Sequence, residues 1–546
     1  MKTRSTLLNE SVCALWGACC MLILTSGVVN AEIEVNTSVN SSVVFADARS
    51  DGSRRANGET STFVVNPTVS LTYQGPNASA VWNIDHSYLY QDFDGLNRTS
   101  DRSFTEYQFS SDISVIDNYL RVNYGSQLRF RNSDPSQAFS DDFIGGSDNL
   151  SRLRNNSLSL TFSTPKPQWV GISWQLRGSK VESDRNINTE RNLDNNNIGT
   201  FFRFTQGDEF RQVRWSVVNE WQDTQGSTTN NDVTTRRTNA QLSLNLVGNF
   251  ALFTTAQDER NQYSFADSDA NNQLREFTSY GAGFEWFSTE NRRLSIAYNQ
   301  SDNNDDDEDD SSDQFVSFDL VWAFSARTRV EASYGRRFFG ESGNFSFVYN
   351  TKKFRTSAAY KEELTTFTRL ISNQESLGVF VCPVGTDDSN ECFLPSSLAY
   401  QLQPDEQFNN FFQNIPEISE EVILRRSATF SIGFQTPKLT TSINIAGGKT
   451  LFLQTNREQN NFTLSTGISY KAGAKTSATS SLKYNRTDLV DTNTRNETYR
   501  ADIGVKRTLS TRLSVSSEVS YIERKSASIS NQLQERRISA SVSYTF

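Results

Sequence analysis

The sequence predicts an all-β fold, a transmembrane antiparallel up-and-down β-barrel of about 24 strands, between about 22 and 26, with no plug domain. Three observations support this prediction. Apolar and polar residues alternate with a period of two in runs of about ten residues. Short turns alternate with long polar segments along the chain, and the last run ends on the aromatic residue Phe546.

The chain begins with features of an export leader. Lys2 and Arg4 are followed by an apolar stretch from Val12 to Val29, and small residues lead up to Ala31. This order is typical of a signal peptide. We therefore expect residues 1–31 to be a signal peptide that is cleaved after Ala31, and residues 32–546 to form the mature barrel.

Composition narrows the function classes of the mature chain. Loss of the leader removes two basic residues and one acidic residue, so the formal net charge of −10 becomes −11. An acidic chain argues against a nucleic-acid partner. The remaining sequence has no apolar run of about 18 residues that could form a transmembrane helix. The mean hydropathy of −0.56 still suits a barrel, because only alternate strand residues face lipid.

Cysteine usage indicates an oxidising compartment. Cys19 faintly resembles a lipoprotein site, but the apolar core of the leader continues beyond it, which favours ordinary cleavage. The mature chain keeps Cys382 and Cys392, close together in a polar stretch, and we expect them to form a disulfide. Two free loop thiols are the alternative. A metal site is disfavoured, because no histidine or second cysteine pair accompanies them.

The turns set the expected strand number and orientation. We count eleven short turns, from the one at 75–78 to the one at 508–511, separated by longer polar segments such as 46–61 and 131–152. An even number of strands lets both termini lie in the periplasm. The short turns would then be periplasmic and the long loops extracellular.

Alternate rows predict a hydrated lumen and an apolar outer surface. The inward row of one strand runs from Arg121 to Arg129 and that of another from Arg500 to Lys506. These two rows mix charges and small polar residues, so they indicate no preference for anions or cations. The outward rows carry aromatic residues, including Trp82 and Trp322, as expected where strands meet the membrane interfaces.

No motif predicts catalysis, a cofactor or a metal site. The only histidine, His86, falls on an apolar row, and its neighbours Asp85 and Ser87 face the other way, so the three cannot form a triad. The acidic run 302–313 could bind calcium through its carboxylates, but a solvated extracellular loop is the favoured interpretation. We therefore expect a protein that is not an enzyme.

The longest loop is expected at about 361–422 and holds the aromatic residues Phe408, Phe411 and Phe412. A loop of this length is usually functional or disordered. Its apolar side chains and the expected disulfide favour order. We expect it to fold over or into the pore mouth, with a protective extracellular cap as the alternative.

The last strand carries Tyr544 and Phe546 on its apolar row, as in the C-terminal signal by which insertion machinery recognises outer-membrane barrels. The expected partners are therefore the lipid and lipopolysaccharide of a Gram-negative outer membrane and this machinery. Only about 14 residues precede the first long loop, too few for the plug of a TonB-dependent transporter.

The segment from Val64 to Tyr88, in which Asn66 and Pro67 open a strand, resembles outer-membrane proteins of the PEP-CTERM and exopolysaccharide system. The resemblance implies a channel or export pore linked to exopolysaccharide or sorted surface proteins, with exopolysaccharide or the export apparatus as a possible partner. The alternatives are a non-conducting barrel for surface anchoring or interaction, and a general diffusion porin.

Overall fold

The computed structural model of the chain describes most of the residues after the expected leader. The described ranges are 31–49, 58–93, 98–117, 119–132, 143–144, 150–184, 193–210, 212–226, 232–264, 273–289, 291–304, 313–325, 327–351, 353–372, 379–383, 406–410, 421–453, 455–526 and 532–546. The expected signal peptide up to Asn30 and the acidic residues 305–312 lie outside them.

A single antiparallel sheet of 24 strands forms the body of the protein, which confirms the predicted class and strand number. Its strands are β1 (Glu32–Arg49), β2 (Gly58–Gln74), β3 (Ala78–Phe93), β4 (Arg98–Ile116), β5 (Leu120–Asn132), β6 (Leu150–Ser163), β7 (Val170–Ser183), β8 (Leu193–Gln206), β9 (Val213–Gly226), β10 (Asp232–Val247), β11 (Phe250–Ser264), β12 (Gln273–Thr289), β13 (Arg292–Asn304), β14 (Asp313–Ser325), β15 (Thr328–Arg337), β16 (Gly340–Asn350), β17 (Phe354–Thr366), β20 (Val422–Gln435), β21 (Leu439–Phe452), β22 (Arg457–Lys471), β23 (Thr476–Leu489), β24 (Thr494–Thr508), β25 (Leu513–Ser526) and β26 (Leu533–Thr545). A separate two-stranded sheet holds β18 (Val379–Pro383) and β19 (Glu406–Asn410), and a short helix, α1 (Phe367–Ser372), follows β17.

The first and last strands close the sheet into a ring. β26 pairs antiparallel with β1 from Ser38 opposite Thr545 to Arg49 opposite Gln534. Beyond this ladder, the backbone N–H of Phe546 donates a hydrogen bond of 3.0 Å to the carbonyl oxygen of Thr37. Ring closure gives every strand two hydrogen-bonded neighbours, so the sheet has no open edge.

The connections at the two ends of the barrel differ in length. One end, which we call the turn end, has only brief connections, such as Gly248–Asn249 between β10 and β11. Gly248 adopts a φ of 60°, a left-handed conformation that glycine tolerates without strain. The other end, the loop end, carries the longer connections, although β15 and β16 are joined there by Phe338 and Phe339 alone.

Alternation along the strands separates the lumen from the outer surface. In β24, Ile503 on the outer row is 65% exposed, whereas its neighbour Asp502 on the lumen row is 7% exposed. His86 lies on the outer row of β3, and its Nδ1 is 2.8 Å from the hydroxyl of Thr105 on β4. Ser87 on the lumen row is buried.

Two expectations about strand boundaries need correction. Asn66 and Pro67 lie in the middle of β2 and do not open a strand. The ladder to β3 is interrupted between Val65 and Thr68, which accommodates the missing N–H of the proline. β17 continues to Thr366, so its connection to β20 begins about six residues later than the expected loop, because Lys361 to Thr366 pair with β20.

Within the described ranges, no helix combines the length and the apolar character needed to cross a membrane.

Candidate functional site in the barrel lumen

A cavity of about 850 Å³ lies inside the barrel and is lined by lumen-row residues of many strands together with α1. Among the described residues, the basic side chains that line the cavity outnumber the acidic ones by two to one. The basic set is Arg131, Arg177, Arg236, Arg237, Arg293, Arg336, Arg337, Lys361, Arg369 and Arg425, and the acidic set is Glu220, Glu259, Asp319, Glu362 and Glu363. The cavity is therefore cationic inside a chain whose overall charge is negative.

One ion pair crosses the lumen between strands that are not neighbours. Arg337 on β15 donates through Nε and Nη2 to the two carboxylate oxygens of Glu259 on β11, at 3.0 and 2.6 Å. Four strand spacings of roughly 4.8 Å separate β11 from β15, about 19 Å along the wall. The bidentate pair therefore links two parts of the barrel wall, β11 and β15, across the lumen.

A second pair spans the same side of the barrel nearer the turn end. Arg214 on β9 donates a 2.8 Å hydrogen bond to Glu285 on β12. The guanidinium carbon of Arg214 also lies 3.6 Å from the ring centroid of Phe287, a cation–π contact. Both carboxylates, Glu259 and Glu285, are almost fully buried. Their charges are compensated by arginines on the same side of the lumen.

α1 begins where β17 ends at the loop end and packs inside the barrel. The hydroxyl of Thr366 accepts a 3.2 Å hydrogen bond from the backbone N–H of Arg369, so Thr366 acts as the N-cap of α1. The hydroxyl of Thr368 accepts a 2.8 Å hydrogen bond from Nδ2 of Asn195 on β8. The helix therefore contacts a wall several strands away from β17 around the ring.

Arg369 anchors α1 to that wall. Its guanidinium donates to the hydroxyls of Thr224 and Thr235 and to the backbone carbonyls of Gln222 and Val233, at 3.0 to 3.3 Å. The residue is only 4% exposed, and burial lowers the pKa of Arg369 to about 10. The side chain thus stays cationic at neutral pH and is held mainly by neutral acceptors.

Apolar contacts complete this attachment. Val233 and Tyr263, on β10 and β11, form one buried cluster with Val422, the first residue of β20. Leu364 and Leu453 pack against the cluster. At the loop end, the wall near β17 and β20 is therefore linked to the wall of β10 and β11 by apolar packing as well as by α1.

The opposite part of the lumen has a different surface. The lumen rows of β25, β26, β1 and β2 are rich in hydroxyl residues, and these bond between neighbouring strands. Ser516 and Ser541 lie 2.6 Å apart, and Ser38 and Thr68 lie 3.0 Å apart. The ion pairs there are local, as between Arg537 and Glu535 two residues apart on β26.

Of the site residues expected from the sequence, some can be placed and others cannot. Tyr544 and Phe546 lie on the outer row with ring centroids 5.0 Å apart, and Phe546 is 67% exposed. Cys382 belongs to β18, opposite Gln407 of β19, and Phe408 lies opposite Val381. The side chains of Cys382 and Phe408 are not described, and Cys392, Phe411 and Phe412 lie outside the described residues.

The lumen rows of two strands were not enough to predict the basic cavity. The rows of β5 and β24 alone suggest balanced charge, but Arg177, Arg237, Arg293 and Arg337 each come from a different strand. The available signal is the recurrence of arginine on lumen rows across β7 to β15. In the described part of the chain, no group of three or more His, Cys, Asp or Glu residues could hold a metal ion.

A closed ring of 24 antiparallel strands, with apolar residues outside and a charged lumen, defines a porin-like outer-membrane barrel. The sequence model of the Gram-negative porin family matches residues 18–341, more than half of the chain. The chain therefore belongs to the Gram-negative porin family, a family of outer-membrane barrels and not of enzymes.

Solved structures with similar folds are distant. The siderophore receptor PirA from Pseudomonas aeruginosa is 9% identical, with a TM-score of 0.37, over 95% of this chain and 81% of that one. The FrpB iron transporter from Neisseria meningitidis, in its apoprotein form, is 10% identical with a TM-score of 0.42, over 94% and 81%. A loop-deletion mutant of OmpT from Vibrio cholerae is 7% identical with a TM-score of 0.31, over 94% and 99%. No curated protein matches the sequence.

Proposed function

We propose that the chain is an outer-membrane diffusion channel that prefers anions and is narrowed at its loop end by α1. The observation that carries this proposal is the two-to-one excess of basic over acidic side chains among the described residues that line the cavity. Fixed cationic groups concentrate anions and repel cations within a Debye length, about 8 Å at physiological ionic strength.

The docking of α1 supports the narrowing. Arg369 is held by four hydrogen bonds to β9 and β10, so the chain that leaves β17 enters the barrel before it continues. A second loop segment also enters at this end, because the ring of Phe143 stacks on Phe104 of β4 at 4.4 Å and Gln91 donates to the carbonyl of Ile144. We propose that the rest of the 367–421 connection, including Phe408, Phe411 and Phe412, continues this narrowing and that Cys382 and Cys392 close it with a disulfide.

The test of the channel is electrical. The mature protein would be refolded and inserted into a planar bilayer under a gradient of potassium chloride. We expect it to conduct, and we expect the reversal potential to have the sign of the chloride equilibrium potential. A reversal potential at zero or of cation sign would contradict the anion preference. Absence of conductance in a protein that folds correctly would instead favour the non-conducting anchoring barrel.

A pore for exopolysaccharide, or one that serves export of sorted surface proteins, is the second candidate. The hydroxyl-rich lumen rows of β25, β26, β1 and β2 favour it, because such groups can exchange hydrogen bonds with sugar hydroxyls. If this candidate is right, a purified neutral exopolysaccharide should block the ion current. An anion-preferring current that the polymer leaves unchanged would argue for diffusion alone.

For insertion, we propose that Tyr544 and Phe546 serve as the recognition signal of the barrel-insertion machinery. Their exposed outer-row position is compatible with that role. Removal of Phe546 is expected to lower the amount of folded protein in the outer membrane while leaving refolding in detergent unchanged. Equal loss in both assays would point to a purely structural role.

A further inference from the structure

We propose that the lumen cavity contains a binding site for an oxyanion, a carboxylate or a phosphate, centred on Arg237 and flanked by Arg337. This inference rests on the proposed channel function and names the class of solute that the channel would hold during passage. It goes beyond general charge preference, because it assigns a saturable site to particular residues.

The first argument is that Arg237 has a guanidinium edge with no hydrogen-bond partner. Its Nε is buried from solvent and makes no hydrogen bond, and Arg237 takes part in no ion pair among the described residues. A buried N–H of a charged group that remains unsatisfied is costly. Because this Nε is out of reach of solvent, a solute in the cavity that Arg237 lines would accept hydrogen bonds from the Nη groups and offset the cost by compensating the positive charge.

The second argument is that the nearest carboxylate is already engaged. Glu259 lies in electrostatic range of Arg237, as does Glu220. However, both oxygens of Glu259 accept hydrogen bonds from Arg337, and Oε1 also accepts one from Asn261 at 3.1 Å. The Glu259 carboxylate therefore compensates Arg337 most directly and leaves the donors of Arg237 available to a solute.

The third argument concerns geometry. The guanidinium group is planar, and its two Nη groups form a fork that matches two oxygens of a carboxylate or phosphate. Arg293 also lines the cavity, and its Nη2 pairs with Asp319 at 2.6 Å. The cavity volume of about 850 Å³ admits small organic anions as well as inorganic phosphate.

The experiment measures binding and selectivity separately in the full mature chain. Saturable reduction of the chloride current by inorganic phosphate and by succinate would be recorded in bilayers for the wild type and for Arg237→Gln, Arg237→Lys and Arg203→Gln. Arg203 is the matched control, because it is a lumen-row arginine of β8 that does not line the cavity. Heat-modifiable migration on a gel would verify that each variant folds.

We expect wild type and Arg203→Gln to bind alike, and Arg237→Gln to bind at least about tenfold more weakly. Arg237→Lys should weaken binding less than Arg237→Gln does, since it keeps the charge and loses the fork. If only phosphate or only succinate reduces the chloride current saturably, that anion identifies whether the site binds phosphates or carboxylates.

Two results would overturn the site. An anion-selective current that neither probe reduces saturably would reject the binding site and leave the proposed channel intact. Equal weakening by Arg203→Gln and Arg237→Gln would show that only the general lumen charge matters. A channel without anion preference would instead reject the proposed function itself.

Discussion

The two sides of the barrel lumen compensate their charges in different ways. On the side formed by β9 to β17, two ion pairs span several strands, Glu259 with Arg337 and Glu285 with Arg214. On the side formed by β22 to β26 with β1 and β2, described lumen-row pairs lie within one strand, as between Arg500 and Asp502 at 2.9 Å and between Arg537 and Glu535. The first arrangement depends on how the wall curves, whereas the second follows from strand alternation alone. Function that requires a shaped cavity is therefore expected on the first side.

The largest expected effect comes from removing the connection that starts with α1. Since Thr366 and Val422 are paired neighbours, a linker of about four Gly and Ser residues can replace 367–421 without straining the wall. Single-channel conductance should rise severalfold, because the lumen loses its inserted segment. Replacement of 50–57, on the opposite side, is the control and should leave conductance nearly unchanged. Unchanged conductance in the first variant would show that α1 and the connection after it do not narrow the channel.

Arg369→Ala should open the channel through a single residue. The variant loses four hydrogen bonds from a buried guanidinium, and we expect the docked helix to be destabilised by about 3 kcal/mol. Conductance should increase, with more frequent switching between levels, but less than after loop replacement. Arg500→Ala removes an arginine with a local partner and should not change the gating pattern. Similar traces for both variants would mean that α1 stays docked without Arg369.

The Glu259→Gln substitution tests whether a carboxylate that is paired across the lumen affects ion selectivity more than one that is paired within its own strand. The change deletes a carboxylate from the cavity and leaves Arg337 without its bidentate partner, so the reversal potential should shift towards stronger anion preference. Glu535→Gln is the matched control, because Glu535 is similarly buried but pairs with Arg537 on the same strand. It does not line the cavity. A larger shift from Glu535→Gln would contradict the contrast between the two sides.

Removal of a single hydroxyl group should have the smallest effect of these substitutions. The loss of unfolding free energy should still differ between the two sides of the lumen. Thr224→Ala leaves a donor of Arg369 unsatisfied, with an expected loss of about 1–2 kcal/mol in unfolding free energy. Ser516→Ala breaks a hydrogen bond between two hydroxyls in a hydrated lumen and should cost less than about 1 kcal/mol. Urea titration of both variants in lipid vesicles would measure the difference. Equal losses of unfolding free energy would indicate that water replaces the lost hydrogen bond equally well at both positions.

Much of the fold could be predicted because strand alternation is a local property. The eleven short turns and the alternating rows were enough to predict 24 strands, and the apolar row ending at Phe546 is indeed the outer row of the last strand. The exact strand ends were less accessible. β17 reaches Thr366 because Lys361 to Thr366 pair with β20, and the polar composition of that stretch resembles a loop.

The candidate site could be predicted only in part. The lumen row of each strand can be read from the sequence, so the arginines of β7 to β15 were accessible in principle. Their grouping was not, because Arg237, Arg337 and Arg369 are brought together by wall curvature and by a helix that returns into the barrel. The resemblance built on Asn66 and Pro67 also assumed a strand start that pairing with β1 overrides.

The sequence by itself therefore determined the class of protein, the rows that face lipid and lumen, and the closing position of the last strand. These depend on the period of two, which each strand expresses independently of the others. The tertiary structure alone decided where the lumen is cationic, which carboxylates are compensated across the barrel, and where α1 docks. Those features depend on contacts between residues as far apart as Arg369 and Thr224, and a long-range contact of this kind leaves no periodic trace in the sequence.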